Sequence, residues 1–337
     1  MRKSAVTIIC LSVVLAFASP VVFGDFDIYF NNPPNANYID KRVSDVIDTA
    51  QTYCYVAIYG LNRERIVDSL IAAKLDGVDV RVVTESDYRY KSGYAWAYDE
   101  LESYGIPVIC DGRSALMHNK FVVVDGSKVV TGSLNFTDDQ TTEDKNNVIV
   151  ITSSGIATRY KNEFLQMYNG TFGTSKVDYS GTNIVDGSTV YTKFAPKANI
   201  RTSIVYHIGT ANTSIYFNIF TFTDQSIADK MITRKNAGVT VKGTFDAWQA
   251  GSAYSQYDNM VNAGVPVKED TYNGLLHDKF MAIDGGTSSG PRTITGSFNW
   301  TASADTSNDE NLLVIRDATV TNSYKGNAIY VYYNKAQ

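Results

Sequence analysis

Cysteine and histidine are scarce in this chain of 337 residues, which contains three of each. The sequence has no cysteine-rich spacing and no HExxH-like pattern, which excludes the common zinc-binding motifs. Outside the first residues, the cysteines are Cys54 and Cys110. They either pair in an oxidising compartment or remain two buried thiols, and the sequence leaves both interpretations open.

A long apolar run occurs only at the start of the chain. Arg2 and Lys3 precede an apolar stretch over residues 5–17, and small residues follow up to Gly24. This layout predicts a secretory signal over residues 1–24, cleavage near Gly24, and a secreted or extracytoplasmic protein. The stretch is short for a membrane span, which needs roughly 20 residues. Residues 21–23 extend it, so an uncleaved anchor is the alternative.

Positive charge is in deficit, since 30 lysines and arginines face 35 acidic residues for a net charge of −5. An acidic protein gains little from counterion release on DNA or RNA. The charge balance therefore favours a substrate other than nucleic acid, although a local basic groove in acidic surroundings leaves nucleic acid open.

The chain contains an internal repeat. Residues Tyr55–Glu85 align without a gap on Tyr216–Asp246, and each segment predicts a buried strand, a helix, a glycine stop and a second strand. Such a crossover joins parallel strands. The sequence thus predicts an α/β protein with mainly parallel sheets, built from repeats at 25–180 and 181–337 around a glycine-rich linker.

Each repeat carries one polar motif. His118 and Lys120 are followed by Asp125, Ser133 and Asn135. Alternate residues of a strand share a face, so His118 and Lys120 should project to the same side, with a hairpin turning near Asp125.

The second copy consists of His277, Lys279, Asp284, Ser297 and Asn299, and its hairpin is five residues longer. The insertion falls in the turn, where a loop can accommodate it.

The pattern H-x-K-x4-D-x6-G-S-x-N resembles the signature of the phospholipase D superfamily, which also includes nucleases, phosphatidyl transferases and cardiolipin hydrolases. The likeness covers nearly the whole chain after residue 24. It implies two repeats related by a pseudo-twofold axis, with one active site at their interface. It also implies that one histidine attacks phosphorus while the other protonates the departing alcohol. The two His-x-Lys-x4-Asp sets are the implied catalytic residues.

The residue types agree with this chemistry. A phosphodiester is an anion, and Lys120 and Lys279 can stabilise its charge without a metal or other cofactor. The Ser-x-Asn side chains should support the phosphate. The positions of Asp125 and Asp284 at the predicted hairpin turns favour an anchoring role over a role in proton transfer.

The two copies differ beside a shared asparagine, with Asn146 in the first and Glu310 in the second. A carboxylate beside His277 would raise its pKa and suit it as the acid. On that interpretation Glu310 orients His277, and His118 is the nucleophile.

Three functions remain open at this level. The first is a secreted phosphodiesterase that hydrolyses phospholipid head groups through a phosphohistidine, acting as a monomer with peripheral membrane contact. The second is a secreted, metal-independent nuclease. The third is a non-catalytic module that binds phosphate esters.

Overall fold

The structure is a computed structural model that describes residues 24–33 and 38–337. The predicted signal segment, apart from Gly24, lies outside the described residues. Within the described part of the chain, no helix combines the length and the apolar character needed to cross a membrane.

The described residues of the first repeat form seven strands and six helices. They are β1 (Phe26–Asn31), α1 (Ile39–Ile47), β2 (Tyr53–Ile58), α2 (Glu64–Leu75), β3 (Asp79–Thr84), α3 (Ser86–Arg89), α4 (Ala95–Ser103), β4 (Val108–Cys110), β5 (Lys120–Val124), β6 (Lys128–Gly132), α5 (Asp138–Thr142), β7 (Asn146–Thr152) and α6 (Ser154–Tyr168). A short 3-10 helix at Gly173–Ser175 follows.

The second repeat contains eight strands and six helices. They are β8 (Gly181–Val185), β9 (Ser188–Ala195), α7 (Ile200–Gly209), β10 (Ser214–Ile219), α8 (Gln225–Asn236), β11 (Thr240–Phe245), α9 (Ala247–Ala250), α10 (Tyr257–Asn262), β12 (Val267–Glu269), β13 (Lys279–Ile283), β14 (Arg292–Gly296), α11 (Ala302–Thr306), β15 (Glu310–Arg316) and α12 (Ala318–Asn334).

The strands form two mixed sheets, in the orders β1-β7-β6-β5-β2-β3-β4 and β12-β11-β10-β13-β14-β15-β9-β8. The α/β class, the two repeats and the parallel crossover β2-α2-β3 are confirmed. The expectation of mainly parallel sheets is wrong, because β2-β3-β4 and β10-β11-β12 are parallel while the other neighbours pair antiparallel. The physical reason is that each motif strand lies antiparallel beside β2 or β10 and then turns through a hairpin into β6 or β14, which adds a further antiparallel neighbour.

Two of the helices lie between the sheets. Residues of α6, such as Phe164, share one buried cluster with Phe121 of β5, Phe280 of β13 and Tyr324 of α12. The opposite faces of the sheets pack against α1, α2 and α4 in the first repeat and α7, α8 and α10 in the second. The order of layers is therefore helices, sheet, two central helices, sheet, helices.

Candidate active site

The two His-x-Lys segments occupy equivalent edges of the two sheets. Lys120 begins β5 opposite Ile58, the last residue of β2, and Lys279 begins β13 opposite Ile219, the last residue of β10. The carboxyl ends of parallel strands are where open α/β sheets place their ligand sites. Both histidines lie just before these positions.

Backbone contacts hold each histidine against the other repeat. The amide of His118 donates to the carbonyl of Asp309 at 2.9 Å, and the amide of His277 donates to that of Lys145 at 2.9 Å. Isolated bridges pair Met117 with Asp309 and Lys145 with Leu276. The two motifs consequently meet at the interface between the repeats.

The imidazoles also find their partners across this interface. Nδ1 of His118 lies 2.8 Å from Oε2 of Glu310, and Nδ1 of His277 lies 3.0 Å from Oδ1 of Asn146. The prediction that Glu310 orients His277 is therefore wrong. Spacing along the chain suggested that Glu310 contacts the histidine of its own repeat. In the structure, β7 and β15 each begin beside the histidine of the other repeat.

Each imidazole partner is itself fixed by a motif serine. Ser297 donates to Glu310 at 2.6 Å, and Ser133 donates to Asn146 at 2.8 Å. The amide nitrogen of Asn146 donates to the carbonyl of Gln140 at 3.0 Å, which turns its oxygen toward His277. These hydroxyls thus act one layer behind the histidines, and a phosphate contact for them stays a prediction.

The motif asparagines differ in their surroundings. Oδ1 of Asn135 is buried without a hydrogen-bond partner among the described residues. Oδ1 of Asn299 accepts from the amide of Thr221 at 3.3 Å. Asn135 is therefore the freer of the two to contact a phosphate.

The lysines are buried and point back along their own motifs. Nζ of Lys120 donates to the carbonyl of His118 at 2.8 Å, and Nζ of Lys279 donates to that of His277 at 2.5 Å. Burial lowers the pKa of Lys120 to about 7, while Glu310 opposes the shift. Burial, with the charge of Lys120, also lowers the pKa of Lys279 well below its usual value. An arriving anion would favour the charged form of both ammonium groups.

The histidines share one electrostatic environment. Burial lowers the pKa of His118 to about 4, with Glu310 raising it and both lysines lowering it. The pKa of His277 falls well below its usual value through burial and the charges of Lys279 and Lys120. Both rings are therefore neutral at neutral pH before substrate binds, and each is affected by the lysines of both repeats.

The motif aspartates lie at the far ends of their strands. Asp125 accepts backbone N–H groups of Gln51, Thr52 and Tyr53 at 2.8–2.9 Å. Asp284 accepts those of the equivalent segment, residues 212–214, and both aspartates have positive φ. These contacts fit the anchoring interpretation and separate the aspartates from the imidazoles.

An asparagine-rich layer behind the site was not predicted as functional. Asn311 donates to Asn119 at 3.1 Å, and Asn147 donates to Asp278 at 2.7 Å, in both cases across the interface. Asn119 and Asp278 are the middle residues of the two His-x-Lys motifs. The signal in the sequence was the asparagine twelve residues after each motif asparagine.

The linker is tied to the site by a buried ionic cluster. Nζ of Lys176 lies 2.7 Å from Asp309 and also contacts Glu163, and Arg113 contacts Asp309. Asp309 precedes Glu310 and receives the amide of His118, so this cluster holds the segment that presents the carboxylate.

Two aromatic rings complete the site. The ring centroid of Tyr59 lies 4.9 Å from that of His118, and the ring centroid of Phe220 lies 4.8 Å from that of His277. The gapless alignment of the repeats places Tyr59 on Phe220, and this match was the signal in the sequence that could have identified both rings.

Cys54 and Cys110 are free thiols.

Comparison with known proteins places these features in one family. The family model "Cardiolipin synthase, PLD-like domain" matches residues 43–168 and 204–328, about three quarters of the chain. A phospholipase D of Rickettsia prowazekii is 30% identical over 171 residues, which are 51% of this chain and 81% of that protein. A mitochondrial cardiolipin hydrolase of Chlamydomonas reinhardtii is 34% identical over 119 residues, 35% of this chain and 51% of that protein.

A solved structure shares the fold across both repeats. The phosphatidylserine synthase of Haemophilus influenzae superposes with a TM-score of 0.69 at 13% identity, covering 93% of this chain and 87% of that one. With both repeats matched by the family model, the chain belongs to the phospholipase D superfamily of phosphodiesterases.

Proposed function

We propose that this protein hydrolyses the head-group phosphodiester bond of phospholipids through a phosphohistidine on His118. The observation that carries the proposal is the contact between Glu310 and Nδ1 of His118. Because the carboxylate accepts the Nδ1 proton, the Nε2 lone pair is left for attack on phosphorus.

In the first step, Nε2 of His118 forms a bond to phosphorus and the bond to the leaving alcohol breaks. His277, protonated once the anionic substrate offsets the charges of Lys120 and Lys279, gives its proton to the alcohol oxygen. The phosphorylated His118 ring is cationic, and Glu310 stabilises that charge. The nucleophile is the residue expected from the sequence, but the physical reason is different, since the carboxylate serves the nucleophile.

In the second step, neutral His277 takes a proton from water, and the resulting hydroxide attacks phosphorus. The bond between phosphorus and Nε2 of His118 breaks, which regenerates the free imidazole and releases a phosphomonoester. Asn146, a neutral partner, leaves His277 free to change its charge in both steps.

The substrate class rests on two observations. The relatives are a phospholipase D and a cardiolipin hydrolase, and the chain has a net charge of −5, which disfavours a polyanion. We also propose that residues 1–24 direct export, that the protein acts as a monomer because one chain supplies both motifs, and that the reaction needs no metal.

The test compares two substrates under one condition. Head-group release from phosphatidylcholine or phosphatidylethanolamine vesicles should proceed in EDTA, whereas plasmid DNA and RNA should stay intact. Degradation of nucleic acid without head-group release would replace the lipase with a nuclease. Inactivity of folded protein toward both would favour a module that binds phosphate esters.

Trapping tests the assignment of the histidines. His277→Ala removes both the acid of the first step and the residue that activates water in the second. With a phosphodiester whose leaving group is a phenol acidic enough to depart without protonation, we therefore expect a phosphoenzyme to accumulate with its phosphorus label on His118. The matched variant His118→Ala should carry no label. A label found on His277 in the His118→Ala protein would reverse the roles.

A further inference from the structure

Large aromatic side chains are exposed on two equivalent segments of the repeats. Trp248 is 70% exposed and Tyr254 81% exposed, both just after β11, while Tyr90 is 72% exposed and Trp96 41% exposed, both just after β3. Trp300, by contrast, is fully buried. Tyrosine and tryptophan are enriched at interfaces, and exposed apolar side chains that cluster in one region mark interaction sites.

Chains of ring contacts connect these segments to the histidines. The ring centroid of Trp248 lies 6.3 Å from that of Phe220, which packs against His277. In the first repeat, Tyr59 packs against His118 and its centroid lies 4.7 Å from that of Tyr88. Trp248 therefore borders the site in the second repeat, and the aromatic segment of the first repeat reaches the site through Tyr88.

The two segments also leave the sheets at the edge that carries the motifs. β3 runs parallel to β2 and β11 runs parallel to β10, so residues after β3 and β11 lie at the carboxyl edge of each sheet. Lys120 and Lys279 begin their strands beside that same edge. A surface touching both segments would thus lie over the entrance to the site.

The charges of the segments indicate the kind of surface. Residues 247–256, AWQAGSAYSQ, contain no charged side chain. The first segment contains two cations. Arg89 is paired with Asp99 at 2.9 Å and with Glu102 at 2.7 Å, so its charge is compensated. Nζ of Lys91 lies over the rings of Tyr88 and Tyr94, 4.5 and 4.7 Å from their centroids. Tryptophan and tyrosine side chains are enriched at the boundary between lipid head groups and acyl chains. There the apolar ring contacts the acyl chains while the N–H or O–H group contacts the head groups or water.

We propose that these two aromatic segments, residues 88–96 and 248–254, dock the protein on a zwitterionic phospholipid surface with the active site facing the head groups. This inference rests on the proposed function, which it extends from a substrate to a membrane orientation. A net charge of −5 disfavours attraction to anionic lipid, so insertion of the aromatic tips provides the binding free energy.

The experiment measures binding separately from catalysis. His118→Asn protein, which cannot form the phosphoenzyme, is sedimented with phosphatidylcholine vesicles, alone and combined with Trp248→Ala and Tyr254→Ala. We expect the double aromatic replacement to lower the vesicle partition coefficient at least about tenfold. Tyr206→Ala, which deletes a 65% exposed ring on α7, is the control for the single variant Tyr254→Ala and should partition as the parent does.

Two further readouts make the result specific. Partitioning driven by aromatic insertion should change little between about 0.1 M and about 1 M salt, whereas electrostatic binding would weaken. Vesicles carrying brominated acyl chains should quench tryptophan fluorescence of the parent, and Trp248→Phe should reduce that quenching.

The outcomes separate this inference from the proposed function. Unchanged partitioning of the double aromatic variant would overturn the docking surface even if vesicles are hydrolysed. Binding through the aromatic tips without head-group release would support docking and reject the lipase. The inference would also be overturned if the protein did not bind vesicles and instead bound single-stranded nucleic acid through Trp248 and Tyr254. The exposed rings would then serve to stack on bases.

Discussion

Glu310→Gln is the substitution that most directly tests the asymmetry of the site. Glu310 is fully buried, lies 2.8 Å from Nδ1 of His118 and accepts from Ser297 at 2.6 Å. Glutamine keeps the shape and an oxygen able to accept both bonds. The replacement therefore removes a negative charge and leaves the side-chain volume nearly unchanged.

The expected loss follows from the charge on the phosphorylated ring. Hydrogen bonds to a charged partner contribute about 1.5–3 kcal/mol, compared with about 1 kcal/mol for neutral ones. If the difference acts on the step that makes His118 cationic, kcat/KM should fall about tenfold, and up to about a hundredfold in this buried setting. The pKa of the free His118 should also fall further below its value of about 4, because Glu310 is what raises it.

The assay uses a soluble chromogenic phosphodiester, so that binding to a lipid surface does not enter. Rapid-quench measurements give the rate of phosphoenzyme formation, and a thermal melt shows that the variant is folded. The rate of formation should fall with kcat/KM.

A double variant separates the position of the carboxylate from its charge. Glu310→Gln with Asn146→Asp keeps the net charge and moves the carboxylate to His277, whose Nδ1 lies 3.0 Å from Asn146. We expect no recovery of phosphorylation on His118. Wild-type kcat/KM in folded Glu310→Gln, or full recovery in the double variant with the label on His118, would refute the reasoning.

Three further predictions concern protonation and folding. The pKa values predict that kcat/KM falls below about pH 4, where His118 gains a proton, and above about pH 7, where Lys120 loses one. A profile that stays flat through pH 7 would contradict this. Asp284→Ala leaves three backbone N–H groups without their acceptor and should lower the free energy of unfolding in urea by roughly 3 kcal/mol, whereas an unchanged midpoint contradicts the anchoring role. Gly132→Ala should lower the free energy of unfolding by at least about 2 kcal/mol. Gly132 has a φ of +148°, and a Cβ added there would lie 2.2 Å from the carbonyl oxygen of Asn147. A urea midpoint equal to that of the parent would contradict this prediction.

The internal repeat was the feature of the sequence from which most of the fold could be predicted. The gapless match of Tyr55–Glu85 to Tyr216–Asp246 predicted two copies of one crossover, and the structure contains both as parallel pairs. The direction of the motif strands was not predicted correctly. Local periodicity shows where a strand lies, but the neighbour it joins depends on the whole sheet, and β5 joins β2 antiparallel.

The motifs predicted the side chains that meet at the interface. The aspartates fit their predicted anchoring role, and the contacts of the serines differ from the predicted one. Asp125 and Asp284 are occupied by backbone amides, and Ser133 and Ser297 support Asn146 and Glu310. These roles depend on hydrogen-bond partners distant along the chain, which spacing does not reveal.

The sequence by itself determined the chemistry of the site, because histidine, lysine and their repeated spacing follow from residue type and strand periodicity. The tertiary structure decided which groups act on which. Glu310 lies 192 residues from His118 along the chain and yet contacts it, because the start of β15 crosses to the first repeat. The same packing brings together the two sheet edges that carry the motifs, and the proposed docking surface depends on that packing.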